Sequence, residues 1–238
     1  MTPYYSRNGI TIYCADSSNL ISQLPALNVV LTDPPYGIDG SSGKINKARN
    51  KGGYTADFRD NPEYIKGVIV PIVKTLISMC NCVVLTPGNK NFSLYPQPDS
   101  FGCFFQPAAA GLQVFGNLDA QPIFYYGKNA SKKNMGVPCS YQLTEAPEKN
   151  GHPCVKPIEV WKKLLANISL PGQMILDPFM GSGTTLAAAQ ILNRQAIGIE
   201  ISEEYCRIAV DRLRQPNMFS IVSPAMSKEQ PEQAVMTL

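Results

Sequence analysis

Histidine and tryptophan are almost missing from this 238-residue chain, which has one of each, His152 and Trp161. With a single imidazole, and only Cys80 and Cys82 close together among seven scattered cysteines, the usual zinc-ligand spacing cannot be assembled. The thiols read as reduced and buried, and no metal is expected. Charge is sparse as well: 16 % of residues are charged and 44 % apolar, which favours a globular core over disorder. No stretch reaches the roughly 18 uninterrupted apolar residues of a membrane span. The segment from Met1 to Gly9 is polar and has no signal-peptide core. A cytoplasmic protein is expected. The net charge of +3 permits a nucleic-acid partner without requiring one.

What is present is a pattern of short apolar runs and helical periodicities. Residues 10–14 alternate like a strand and lead into Asp16-Ser17-Ser18, a turn and helix cap. Asn28 to Thr32 is a continuous apolar run, the mark of a parallel strand buried on both faces. It stops at Asp33, where Pro34 and Pro35 forbid helix and remove ladder donors. Residues 38–61 are polar and basic, the kind of long loop that is functional or disordered. A helix is predicted from Tyr64 to Met79, with Pro71 an internal cost. A buried strand follows at Cys82 to Thr86 and another at Ile123 to Tyr126, while residues 89–122 give no assignable pattern. From Pro157 the order is clear: helix to Ile168, strand Met174 to Leu176, a Gly-rich turn, helix to about Asn193, strand Ala196 to Ile199, helix from Ser202 to about Arg214. This alternation predicts an α/β protein with a doubly wound, mostly parallel sheet. One domain is expected over residues 1–215, with a poorly ordered tail at 216–238.

Two strings carry chemistry. Asp177-Pro178-Phe179-Met180-Gly181-Ser182-Gly183-Thr184 joins a strand to a helix, and the next strand ends in Glu200. Ligands of doubly wound sheets sit outside the carboxyl ends of the strands, and Glu200 can accept hydrogen bonds from both hydroxyls of a ribose. The Lys of a phosphate-binding loop is missing, as is the third Gly of the dinucleotide fingerprint. An adenosyl compound without pyrophosphate fits better. The other string, Asp33-Pro34-Pro35-Tyr36, suits an exocyclic amine. Such an amine is a poor nucleophile because its lone pair is delocalised. The Asp33 carboxylate and the Pro34 carbonyl can accept its two N–H bonds and favour a pyramidal nitrogen. Pro35 stiffens the turn, and Tyr36 offers a stacking face to a base rotated out of its duplex. No covalent intermediate is needed.

With these residues the chain resembles the S-adenosylmethionine-dependent amino-methyltransferases of DNA, over roughly residues 10–214. The order of its motifs, acceptor first and cofactor second, is similar to that of their beta group. The resemblance implies a class I methyltransferase, Rossmann-like fold and S-adenosylmethionine as cofactor. Asp-Pro-Pro-Tyr is the form seen more with adenine N6 than with cytosine N4 targets. His152-Pro153-Cys154-Val155-Lys156-Pro157 resembles a family segment at the methionine end of the cofactor, which makes Lys156 the candidate partner of the cofactor carboxylate and argues against His152 as a general base. By the same resemblance Asp16 lies near the cofactor adenine, Phe179 lies against the cofactor, and Tyr125, in Phe124-Tyr125-Tyr126-Gly127-Lys128, helps line the base pocket.

The interval 129–151, where the beta group carries its recognition region, is too short for a full recognition domain. Recognition then falls to the basic loop (Lys44, Lys47, Arg49, Lys51, Arg59), to Lys132 and Lys133, or to a second copy of the chain. Such cations contact phosphate more readily than base edges. DNA is the expected partner, with a homodimer and a cognate restriction nuclease as candidates. Cytosine N4 or RNA as the target, and a non-catalytic nucleic-acid-binding subunit of the same fold, stay open at this point.

Overall fold

The computed structural model describes residues 2–24, 27–37, 60–105, 112–113, 116–117, 120–129, 131, 139–142 and 156–215. The chain opens with a hairpin, β1 (Tyr5–Arg7) and β2 (Ile10–Cys14), turned by Asn8 and Gly9 at φ of 52° and 78°. Positive φ at both turn residues gives the strands their right-handed twist. At the end of β2, Asp16 accepts from the Ser18 N–H at 2.8 Å and caps the short helix α1 (Ser17–Leu20). Strand β3 (Val29–Thr32) is buried at every residue, as its apolar run predicts.

The next helical region starts two residues earlier than Tyr64, because the Asn61 side chain caps it by accepting from the Tyr64 N–H at 2.9 Å. It runs as α2 (Pro62–Tyr64), a π-helical stretch Ile65–Ile69, and α3 (Val70–Met79). Pro71 has no N–H to donate and crowds the preceding turn. Its cost falls where the helix has already widened into π geometry. Strand β4 (Cys82–Leu85) follows.

The region without a sequence pattern holds β5 (Ser100–Phe105), β6 (Leu112–Gln113) and β7 (Gly116–Asn117), then β8 (Ala120–Gly127) and β9 (Tyr141–Gln142). Strand β8 is longer than Ile123 to Tyr126 because Pro122 lies beyond the reach of β4. It pairs with Cys103 of β5, while β4 pairs only from Phe124 onward. A proline is tolerated where one ladder side is open.

The last third repeats helix and strand: α4 (Ile158–Ile168), β10 (Met174–Asp177), α5 (Thr184–Ile191), β11 (Gln195–Glu200) and α6 (Glu203–Arg214). Ser202 caps α6, Glu203 and Glu204 lie in its first turn, and Arg212 and Arg214 in its last, each matching the helix dipole.

Among the described residues the main sheet has nine strands in the order β1-β2-β11-β10-β3-β4-β8-β5-β9. Strands β2, β11, β10, β3 and β4 are mutually parallel, and β8 runs against β4. Alternate residues feed two cores. Val29, Leu31 and Ile175 face α4, α5 and α6 through Trp161, Leu164, Leu186 and Ala209. Val30, Val83 and Leu176 face Ile65, Ile69, Val73 and Leu76 on the other side. The fold is therefore doubly wound. From β3 the chain moves to β4 on one side, and from β10 to β11 on the other. The strand order reverses between β3 and β10, and that switch point is where such sheets bind ligands.

Candidate active site

The two motifs predicted from sequence end the two strands at the switch point. Asp33 follows β3, and Asp177 closes β10. They are tied from within: the Thr32 hydroxyl donates to Asp177 Oδ1 at 2.6 Å, and the Phe179 N–H donates to the same oxygen at 3.2 Å. Asp177 is buried, and burial pushes its carboxyl up to about 7 against the pull of the Thr185, Thr32 and Phe179 hydrogen bonds. The Asp177 carboxyl thus points into the interior and sets the spacing of the motifs.

Asp33 is the centre of a polar cluster. Its Oδ1 accepts from the Tyr36 hydroxyl at 2.6 Å and from the Thr86 hydroxyl, and its Oδ2 pairs with Lys156 Nζ at 2.6 Å. A carboxylate has about four acceptor positions, so one on Oδ2 stays available. The Lys156 ammonium lies 4.7 Å from the centre of the Tyr36 ring. Tyr36 is seated by its neighbours. Gly88, at φ 73°, lies so close that a Cβ there would be 2.7 Å from ring atoms Cγ and Cδ1. Asn91 Nδ2 donates to the carbonyls of Tyr36 at 2.7 Å and Gly37 at 3.1 Å, and the Gly37 N–H donates to Asp60. Gln121 Oε1 lies 3.4 Å from the Tyr36 hydroxyl. Pro34, between Asp33 and Tyr36 in the chain, is buried.

The Gly-rich turn is fixed with similar care. Gly181 and Gly183 have φ of 49° and 77°, and Gly183 serves as N-cap of α5, where a Cβ would meet the Ala209 Cβ at 2.9 Å. Glu200, ending β11 beside it, accepts from the Gly181 N–H at 3.0 Å and the Ser202 N–H at 2.9 Å. Burial raises its pKa, and the Ser202, Gly181 and Ile201 amides pull it back. Ser182 and Thr184 are buried, and Thr184 Oγ1 accepts from Arg212 at 2.9 Å, so this hydroxyl serves the α5–α6 packing. Phe179 is half-buried against the core at the mouth of the turn. Asp16 is exposed at the end of β2, next to β11, with Oδ1 accepting from Ser18. Ser17 Oγ donates to the Pro178 carbonyl and pins α1 to the turn. The set fits an adenosyl ligand: a glycine turn at the end of β10, a carboxylate beside it with acceptor positions left, and a second acid one strand away.

Several of these groups carry no motif in the sequence. Thr86, Gly88, Asn91 and Gln121 reach Asp33 or Tyr36 only because β4 and β8 pair next to β3. Tyr64 is another: burial, then the charges of Asp16, Glu200 and Asp60, push its hydroxyl up to about 12. The Tyr95 hydroxyl is buried without a hydrogen-bond partner among the described residues, and burial followed by the charge of Asp33 raises its pKa. Tyr125 is found four residues along β8 from Gln121, its hydroxyl donating to the Cys139 carbonyl at 2.9 Å. Lys44, Lys47, Arg49, Lys51, Arg59, Lys132, Lys133 and His152 lie outside the described residues, as do most of the segments 38–61 and 129–151 and the tail. No helix among the described residues is long and apolar enough to cross a membrane.

This architecture is the class I methyltransferase fold. The structure of PvuII DNA methyltransferase, cytosine-N4-specific, aligns with a TM-score of 0.67 at 16 % identity over 91 % of this chain and 90 % of that one. The M1.HpyAVI–SAM complex aligns at 0.62 with 22 % identity, over 86 % of this chain and 99 % of that one. At the level of sequence, the family model for N6/N4 methyltransferases, described as DNA methylase, matches residues 113–211. Type II methyltransferase M2.DpnII of Streptococcus pneumoniae is 26 % identical over 251 residues, 90 % of this chain and 93 % of that protein. The resemblance to the amino-methyltransferases of DNA is borne out by these matches.

Proposed function

We propose that this protein transfers a methyl group from S-adenosylmethionine to the exocyclic N6 of adenine in DNA. The observation that carries the reading is the meeting of Asp33-Pro34-Pro35-Tyr36 with the Gly181–Thr184 turn at one switch point, joined by the Thr32–Asp177 hydrogen bond of 2.6 Å. The cofactor supplies a methyl group on a sulfonium, which needs only a lone pair arriving in line. Asp33 Oδ2 and the Pro34 carbonyl take the N–H bonds of the amine and localise that lone pair. Tyr36, seated by Gly88 and Asn91, holds the extruded base. After transfer the nitrogen sheds a proton, and the Asp33 carboxylate is the adjacent acceptor. Glu200 and the Gly181–Gly183 backbone hold the adenosyl part, with Phe179 and Asp16 at its edges.

The preference for adenine rests on Asp at the first motif position. The order of the motifs supports a beta-group arrangement, and the likeness to M2.DpnII supports a restriction–modification setting with a cognate nuclease. DNA contact by the basic residues of segments 38–61 and 129–151, a homodimer and a cytoplasmic location belong to the same reading. Cytosine N4 is the second reading, favoured by the structural likeness to the PvuII enzyme. Digestion of DNA treated with the purified protein and cofactor, followed by mass spectrometry of nucleosides, separates the two: N6-methyladenine is expected, and N4-methylcytosine transfers the assignment. Asp33→Ala should lower transfer by at least about a hundredfold while cofactor binding persists. Transfer at the wild-type rate by this variant refutes the mechanism.

A further inference from the structure

Lys156 places a cation where the proposed reaction needs a bare aromatic face. Its Nζ is 2.6 Å from Asp33 Oδ2, and the two side chains are only 12 % and 23 % exposed. The same ammonium lies 4.7 Å from the Tyr36 ring centre. Elsewhere on that ring the Gly88 backbone is packed so tightly that a Cβ would come within 2.7 Å of Cγ and Cδ1. A base stacked on Tyr36 needs contact at about 3.5–4.0 Å over the ring. It cannot share that space with the ammonium. With its hydroxyl on Asp33, Tyr36 is also held in the one orientation that keeps its ring under Lys156.

We infer that Lys156 is a positioning residue that guards the acceptor site: in the resting protein it covers the stacking face of Tyr36 and neutralises Asp33, and it gives way when an extruded base arrives. The inference rests on the proposed transfer to a base in DNA. Its chemistry is that of a reversible stopper. The ammonium satisfies Asp33 while no amine is present, which spares a half-buried carboxylate from being left unpaired. It also holds Tyr36 through a cation–π contact that an incoming base must replace. Base extrusion is then opposed by the contact that Lys156 makes.

The test uses the full-length protein and a duplex oligonucleotide carrying 2-aminopurine, fluorescent when unstacked, in place of an adenine found methylated by the wild type. Protein is in saturating excess, so the signal reports the extruded fraction rather than affinity. Lys156→Met keeps a long apolar stem and removes the charge; Lys156→Arg keeps both the ion pair and a ring contact. The extruded fraction should rise at least about twofold in Lys156→Met, because a mostly buried cation–π contact is worth no less than an exposed one, and stay near the wild-type value in Lys156→Arg. If wild type methylates and extrudes the base but Lys156→Met leaves the fraction unchanged or lowers it, the guarding role is overturned and the proposed function stands. A purely structural ion pair would lower the melting temperature of Lys156→Met without raising the fraction, which also overturns it. If the wild type methylates no DNA at all, the proposed function fails, and the inference fails with it.

Discussion

Asp177→Asn should remove a pH dependence that the buried carboxyl imposes on stability. Asp177 is buried and its pKa rises from an ordinary 3.8 to about 7, chiefly through burial. In the unfolded chain the same carboxyl titrates near 3.9. Between those values the folded protein binds a proton that the unfolded chain has released. The stabilisation linked to this group is therefore complete below about pH 4 and is lost as pH rises through about 7. A displacement of that size is worth on the order of 4 kcal/mol. Asn cannot ionise, yet its side-chain carbonyl can still accept from the Thr32 hydroxyl and the Phe179 N–H, which both use Oδ1 in the wild type. Urea unfolding of wild type and Asp177→Asn at a series of pH values from about 4.5 to 8 gives the difference directly. The stability of wild type relative to the variant should fall steadily across this range and level off above pH 7, with other titrations cancelling. A difference that is flat with pH would refute the reasoning, because it would mean that Asp177 is charged at all these pH values in the folded state.

Two further outcomes follow from the site. Gly88→Ala puts a methyl group 2.7 Å from the Tyr36 ring on a backbone at φ 73°, so it should cost at least about 1 kcal/mol and depress transfer well beyond its effect on folding; matched melting curves and turnover measurements show whether the two losses separate. Glu200→Gln removes the carboxylate that faces the Gly181 amide and should weaken binding of S-adenosylhomocysteine roughly tenfold, read by isothermal titration calorimetry, with little change in helix content.

The central sheet and both motifs are legible in the sequence because burial on two faces leaves a signature that needs no partner. Val29 to Leu31 and Met174 to Leu176 read as strands from their own side chains, and the prolines after Asp33 mark where the first one must stop. The first hairpin had a signal too, in Asn8-Gly9, but its three-residue β1 is too short for alternation to show. The edge of the sheet was silent for another reason. Strand β5 has buried residues only at Gly102 and Phe104, and Pro122 breaks the donor pattern of β8. Within the site, Asp33, Tyr36 and Glu200 follow from motif chemistry. Thr86, Gly88, Asn91 and Gln121 do not, since each acquires its role from the strand that happens to lie next door. The motif of Lys156 points to the cofactor, while among the described residues its ion-pair partner is Asp33.

The strand order also governs how this sheet can come into being. Strand β11 pairs with β2 from Ala196 opposite Ile10, and β10 pairs with β3 from Ile175 opposite Val29. Among the described strands, the two latest in the chain thus slot between two of the earliest. Until they arrive, β2 and β3 each present an open edge to solvent, the kind of edge that invites pairing with other chains. Contacts spanning so much of the sequence also close slowly. The acceptor turn is made early, but the Gly-rich turn is tied to it only when Asp177 reaches Thr32. A chain interrupted before β10 would carry an acceptor motif with no cofactor turn beside it, so an unfinished copy is unfit for catalysis and exposed to aggregation for one and the same reason.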